Sequence, residues 1–133
     1  MLNSALVLVA EDEPFIALDI AFAIEDAGGE VVGPAASVEE ALALIEARSI
    51  SGAILDVNLT DGDITPVAQA VLRMGIPVIL QSGIGLPPEF AARFPEVVFH
   101  MKPCVAATLV TQLAQLILDQ QRAVPPENKN STS

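Results

Sequence analysis

Hydrophobic positions along the chain fall into two alternating patterns. Ala5–Ala10 is apolar at every position, and so are Gly52–Ala53–Ile54–Leu55, Pro77–Val78–Ile79–Leu80 and most of Val97–Val98–Phe99–His100–Met101. Continuous apolar runs of this length read as strands covered on both faces, as in a parallel sheet. A shorter run, Glu30–Val31–Val32–Gly33, has a polar start. Between these runs the apolar residues recur at helical spacing. Ile16, Ile20, Ala23, Ile24 and Ala27 form one stripe, widened by Phe15, Leu18 and Phe22, and Gly28–Gly29 ends it.

The helix boundaries carry their own signals. Pro14 suits a first helical turn. Ser37 and Glu40 have capping-box spacing and open a helix with Val38, Ala41, Leu42, Leu44 and Ile45 on its apolar side. Thr65–Pro66 reads as an N-cap followed by Pro at N1. The helix it opens carries Val67, Ala70, Val71 and Met74, and Gly75 closes it. A last helix runs from Val105 to about Gln121 through Leu109, Leu113, Leu116 and Ile117. Gly83, Gly85, Pro87, Pro88 and Pro95 leave at most about two helical turns between Ser82 and Val97, because Gly and Pro cost about 1 and 3 kcal/mol inside a helix.

The order is therefore βαβαβαβαβα. Strict alternation predicts an α/β fold: a five-stranded parallel sheet, helices on both faces, right-handed crossovers. The expected division is one folded domain over 1–121 and a polar, Pro-interrupted, disordered tail over 122–133.

Composition narrows the function. At 52% hydrophobic over 133 residues the chain can bury a substantial core, which must be aliphatic, because Trp and Tyr are missing and Phe occurs five times. Seventeen acidic against six basic residues give a net charge of −11, which excludes a basic nucleic-acid surface and docking on anionic lipid. Cys104 has no partner for an internal disulfide. No targeting segment and no apolar run near the ~20 residues of a membrane span are present. A cytoplasmic protein is expected.

The candidate chemistry lies at strand ends. Asp56 closes the central run before the turn signal Thr60–Asp61–Gly62. Glu11–Asp12–Glu13 follows the first strand, and Lys102–Pro103 follows the last. Ligands of open α/β sheets bind outside the carboxyl ends of the strands. Glu11–Asp12–Glu13 taken alone would also serve as an acidic helix N-terminus. With Asp56 and Lys102 at the same edge, the set points to a divalent cation and a phosphoryl group. Clustered carboxylates repel until a hard cation such as Mg²⁺ joins them, and an ammonium can pair with a phosphoryl oxygen. Ser82, ending its strand before Gly83, is either an ordinary turn residue or a hydroxyl donor to the same group. His100 and Cys104 lack partners for metal binding or nucleophilic catalysis.

The ordered set Glu11–Asp12, Asp56, Ser82 and Lys102–Pro103, spread over five βα units, resembles the receiver domain of two-component response regulators. The likeness covers about residues 5 to 121. It implies a flavodoxin-like doubly wound sheet of order 2-1-3-4-5. It implies that Asp56 accepts a phosphoryl group from the phosphohistidine of a histidine kinase or histidine phosphotransfer protein. Mg²⁺ would be held by Glu11, Asp12, Asp56 and the backbone carbonyl of Asn58, with Ser82 and Lys102 on the phosphoryl oxygens. Phe99, three residues before the lysine, takes the place of the switch aromatic. The chain departs from the family pattern in four places: Glu11 stands where Asp is commoner, Phe99 where Tyr is frequent, the loop after Asp56 lacks the usual Pro, and the fourth helix is short or frayed.

The expected function is thus a stand-alone phosphorylation switch, acting on a separate downstream protein and catalysing only its own phosphotransfer and dephosphorylation. Two alternatives are a receiver that folds but is never phosphorylated, and a haloacid-dehalogenase-like phosphatase. The second requires a general acid two residues after the nucleophile, where this chain has Asn58.

Overall fold

The computed structural model describes residues 1–123. Its elements are β1 (Leu6–Ala10), α1 (Pro14–Asp26), β2 (Glu30–Ala35), α2 (Val38–Ala47), β3 (Gly52–Asp56), β4 (Asn58–Leu59), β5 (Gly62–Asp63), α3 (Thr65–Arg73), β6 (Val78–Ser82), α4 (Pro88–Arg93), β7 (Val98–Met101) and α5 (Ala106–Ala123). The main sheet has the order β2-β1-β3-β6-β7, with every neighbouring pair parallel. Counting its five strands alone, this is 2-1-3-4-5, the doubly wound arrangement expected.

Strand periodicity divides the core. Successive side chains of a strand point to opposite faces. Leu8, Ala10, Leu55 and Leu80 therefore join Ala41, Ile64, Val67, Val71 and Phe90 on one face, under α2, α3 and α4. Val7, Val9, Ile54 and Ile79 join Ile20, Ile24, Leu109, Val110 and Leu113 on the other, under α1 and α5. The layers are tight beneath α5: a Cβ on Gly52 would lie 3.1 Å from Leu113 Cδ2 and 3.2 Å from Ile117 Cδ1.

Several local expectations change. On α1 the buried residues are Ala17, Ile20 and Ile24. Phe15, Leu18 and Phe22 do not widen that stripe. They form a second apolar row on the opposite side of the helix, 83%, 47% and 56% exposed, because at 100° per residue they fall on the side away from the sheet. Met74 is the exposed C-cap of α3 rather than part of its apolar face. Helix α3 itself starts at Thr65 with Ile64 as N-cap, and the carboxylate that receives Thr65 N (2.8 Å) belongs to Asp63. Strand β2 runs two residues further than expected, past a register shift between Leu8 and Ala10.

The loop after Asp56 is not a plain turn. Asn58 and Leu59 pair antiparallel with Asp63 and Gly62, so Thr60 and Asp61 form the tip of a small hairpin. The short fourth helix is present as six residues. Helix α5 continues to Ala123, two residues past the expected boundary at 121, and residues 124–133 of the expected tail lie outside the described residues. No helix among the described residues is long and apolar enough to cross a membrane.

Candidate functional site

The carboxyl ends of β1, β3 and β6 lie side by side, and the sequence puts a polar residue at each. Ala10 pairs with Leu55, and Asp56 pairs with Gln81. Glu11 and Asp12 therefore leave β1 next to Asp56 at the tip of β3. One carboxylate oxygen from each of Glu11, Asp12 and Asp56 lies within 4.8 Å of the others. Glu11 and Asp56 are buried, at 2% and 5% exposure, and Asp12 is half-buried.

Lys102 closes this pocket from β7. Its backbone N donates to Ser82 O at 2.8 Å, which brings the β6 and β7 ends together. Its Nζ lies 2.8 Å from Asp56 Oδ2, 3.0 Å from Glu11 Oε1 and 3.5 Å from Glu13 Oε2. Burial works against the charge on Lys102, but its hydrogen bonds to Asp56 and Glu11 outweigh that and hold its pKa above the ordinary lysine value. The Glu11 pKa is raised too, to about 7, but here it is the charged form that is disfavoured, and burial is the largest cause. The Glu13 amide (3.1 Å) and Lys102 offset part of that, and the nearby Asp56 carboxylate adds to the rise.

The remaining expected residues surround this centre. Asn58 N donates to Asp56 Oδ1 at 3.2 Å, which fixes the loop that carries the Asn58 carbonyl. Ser82 is fully buried, and its Oγ accepts from Ile84 N at 3.1 Å within its own loop. Phe99 is half-buried on β7, opposite Leu80, and packs against the apolar cluster that includes Phe90. Glu11, Asp12, Asp56 and Lys102 thus share one cluster, with Asn58 at the start of β4 and Ser82 at the end of β6 beside it and Phe99 in the layer behind.

Two residues with no assigned role in the sequence reading belong here. Gln81, 1% exposed, donates from Nε2 to Glu11 Oε1 at 3.2 Å. Glu13 contributes a carboxylate to Lys102 and a backbone amide to Glu11. A polar amide directly after the apolar run Pro77–Leu80 was the available signal for Gln81, because a buried amide needs a partner.

The donor set fits a hard divalent cation. Three carboxylates offer oxygen ligands only, with one ammonium to balance them, and Mg²⁺ favours one or two carboxylates with water and phosphate oxygens completing its shell.

Known proteins share this architecture. The structure of a response regulator receiver protein from Sinorhizobium medicae aligns with a TM-score of 0.75 at 25% identity, over 89% of this chain and 98% of that one. The solution structure of SdrG from Sphingomonas melonis aligns with a TM-score of 0.70 at 32% identity, over 89% of this chain and 98% of that one. The chain belongs to the receiver domains of response regulators. The Phyllosphere-induced regulator PhyR of Methylorubrum extorquens is 31% identical over 130 residues, 94% of this chain and 48% of PhyR. The receiver thus spans about half the length of that curated relative. No family model matches the chain. Membership places it in two-component signalling, where receivers act as phosphorylation-switched modules.

Proposed function

We propose that this receiver accepts a phosphoryl group on Asp56 from the phosphohistidine of a histidine kinase or histidine phosphotransfer protein. The observation that carries the reading is one ammonium, Lys102 Nζ, held 2.8 Å from Asp56 Oδ2 inside a cluster of three carboxylates at the carboxyl edge of the sheet. An Asp56 oxygen attacks phosphorus, the P–N bond breaks, and its electron pair returns to the donor imidazole. The product is an acyl phosphate on Asp56.

Glu11, Asp12, Asp56 and the Asn58 backbone carbonyl would hold Mg²⁺, which would supply positive charge against the incoming phosphoryl oxygens. Lys102 turns from Asp56 to a phosphoryl oxygen as a point charge. Ser82 gives up its bond from Ile84 N and donates its hydroxyl to another phosphoryl oxygen. That rearrangement moves the 83–87 loop and gives the Phe99 ring room to follow, which changes the surface offered by α4, β7 and α5 to a separate partner protein. The module works in the cytoplasm and is not a turnover enzyme; it catalyses its own phosphotransfer and dephosphorylation.

Incubation with acetyl phosphate and Mg²⁺ tests this reading. Intact mass should rise by a single phosphoryl group, and Asp56→Asn, nearly isosteric, should remain folded and unlabelled. Equal labelling of the mutant would overturn the assignment of Asp56. Failure of the wild type to label would favour a receiver that binds its partner without phosphorylation.

A further inference from the structure

The pocket contains one buried neutral side chain aimed at a carboxylate. Gln81 stands beside Asp56 in the sheet register, and its backbone O receives Val57 N at 2.9 Å. Its side chain turns to the neighbouring tip instead, with Nε2 3.2 Å from Glu11 Oε1, and the residue is 1% exposed. Burying an amide so deeply is unfavourable unless it is partnered, and its partner is the most deeply buried carboxylate of the site.

We infer that Gln81 is a positioning residue for metal binding, fixing the Glu11 carboxylate through its Nε2–H. The inference rests on the reading of Glu11 as a metal ligand. Glu11 has one more rotatable bond than an aspartate and loses more rotamer freedom when it is fixed. Three donors hold it: Gln81 Nε2 on Oε1, Glu13 N on Oε2, and Lys102 Nζ, which reaches both oxygens. Lys102 is needed elsewhere once a phosphoryl group arrives. Gln81 and the Glu13 amide then remain to orient the carboxylate. A neutral donor does this without adding a cation that competes with the metal or a fourth carboxylate that repels the other three.

The relation to Glu11 makes the test specific. Gln81→Met keeps the length and removes the donor; Gln81→Leu repeats the change with a different shape. Calorimetric titration with MgCl₂ should show affinity weakened about 10- to 100-fold in either variant, the range for loss of a group that orients a metal ligand. In a Glu11→Asp background the shorter carboxylate falls back from Gln81, so Gln81→Met should cost there no more than about threefold, a non-additivity that marks direct coupling. Circular dichroism and thermal melting identify which variants are folded. Wild-type Mg²⁺ affinity in both folded variants, or the same loss in both Glu11 backgrounds, would overturn the role of Gln81 while leaving the metal site standing. A wild type that ignores millimolar Mg²⁺ would overturn the metal site and the role of Gln81 together.

Discussion

Asp61 caps a helix that begins 23 residues earlier in the chain: its Oδ1 accepts from Val38 N at 2.7 Å, and its Oδ2 accepts from Glu39 N at 3.1 Å. These are two of the amides that open α2, which an α-helix cannot satisfy internally. Ser37 Oγ accepts Glu40 N at 3.1 Å, and Glu40 returns a bond to Ala36 N at 2.9 Å. Thr60 Oγ1 adds a bond to Ala36 O at 3.0 Å. The tip of the hairpin after Asp56 is therefore anchored to the junction between β2 and α2, where Ala35 O also receives Glu11 N.

The anchor has a pH signature. The hydrogen bond from Val38 N, joined by that from Glu39 N, holds the Asp61 carboxyl below the usual aspartate pKa. A depressed carboxyl contributes stability that is present above the unfolded-state value, near 3.9, and is lost as pH falls through the folded-state value. Asp61→Ala should melt below the wild type at neutral pH, and the gap should close at the acid end of a melting series. A gap independent of pH would mean that Asp61 acts by packing alone.

Glu11 predicts the opposite slope. Its pKa is raised to about 7, chiefly by burial, so the folded protein holds this proton more tightly than the unfolded chain does. The stabilising contribution is full below the unfolded-state value, near 4.3, and is lost as pH rises through about 7. Metal-free protein should therefore lose stability from this group between about pH 5 and 7, and Glu11→Gln should flatten that part of the profile. Denaturant unfolding at a series of pH values, with chelator present, measures it.

Lys102 is the counter-charge to both buried carboxylates, with its side chain 14% exposed and those of Asp56 and Glu11 7% and 0%. Removing one partner of a buried pair leaves the other uncompensated and typically costs about 3–5 kcal/mol. Lys102→Ala should destabilise the metal-free protein by about 3 kcal/mol, with Mg²⁺ recovering part of the loss. It should also slow labelling by acetyl phosphate. A variant as stable as wild type without metal would show that the carboxylates are neutralised by protonation rather than by Lys102.

Stability should report the metal directly. At ten times Kd a ligand that binds the folded state adds about 1.4 kcal/mol. Asp12→Asn removes a half-buried carboxylate from the cluster. It should raise the melting temperature without metal and shrink the gain on adding MgCl₂. A melting temperature indifferent to millimolar Mg²⁺ in the wild type would count against the site.

The sequence made the sheet and the site legible for a common reason. Strands buried on both faces must be apolar throughout, so a carboxylate or lysine at the end of such a run marks the strand tip. Asp56 was visible that way, whereas Lys102 follows the partly exposed edge strand β7 and stood out because basic residues are few. Gln81 was hidden because its partner, Glu11, is 70 residues away in the chain. The hairpin was hidden because two-residue strands carry no periodicity, and Asp61 because its cap spans separate elements. Phe15, Leu18 and Phe22 misled because helical spacing places residues on a face without saying whether that face meets the sheet.

On the proposed function, the segment after Ser82 carries the state of the site to a partner. Helix α4 has six residues, and its N-cap, Pro87, offers no side-chain cap. Its packing is small in extent: Phe90 is buried, its ring lies 4.9 Å from that of Phe94, and Arg93 sits 5.4 Å over the Phe94 ring. Ile84 is 83% exposed, and Gly85 takes a φ of +101°, which costs a glycine little. Few buried contacts and a short helix give a low local opening free energy. The segment is joined to the site through Ser82 Oγ, which receives Ile84 N and would turn to the phosphoryl group. Amide exchange at Ile84 to Arg93 should therefore be fast in the unmodified protein and slowed or redistributed by beryllofluoride with Mg²⁺, with the Phe99 amide changing alongside. Ser82→Ala should retain fast exchange and uncouple it from beryllofluoride. If Ile84 to Arg93 is already as protected as β3 and beryllofluoride changes nothing there, the signal leaves the site by another face, and the Thr60–Asp61 anchor on α2 becomes the segment to measure next.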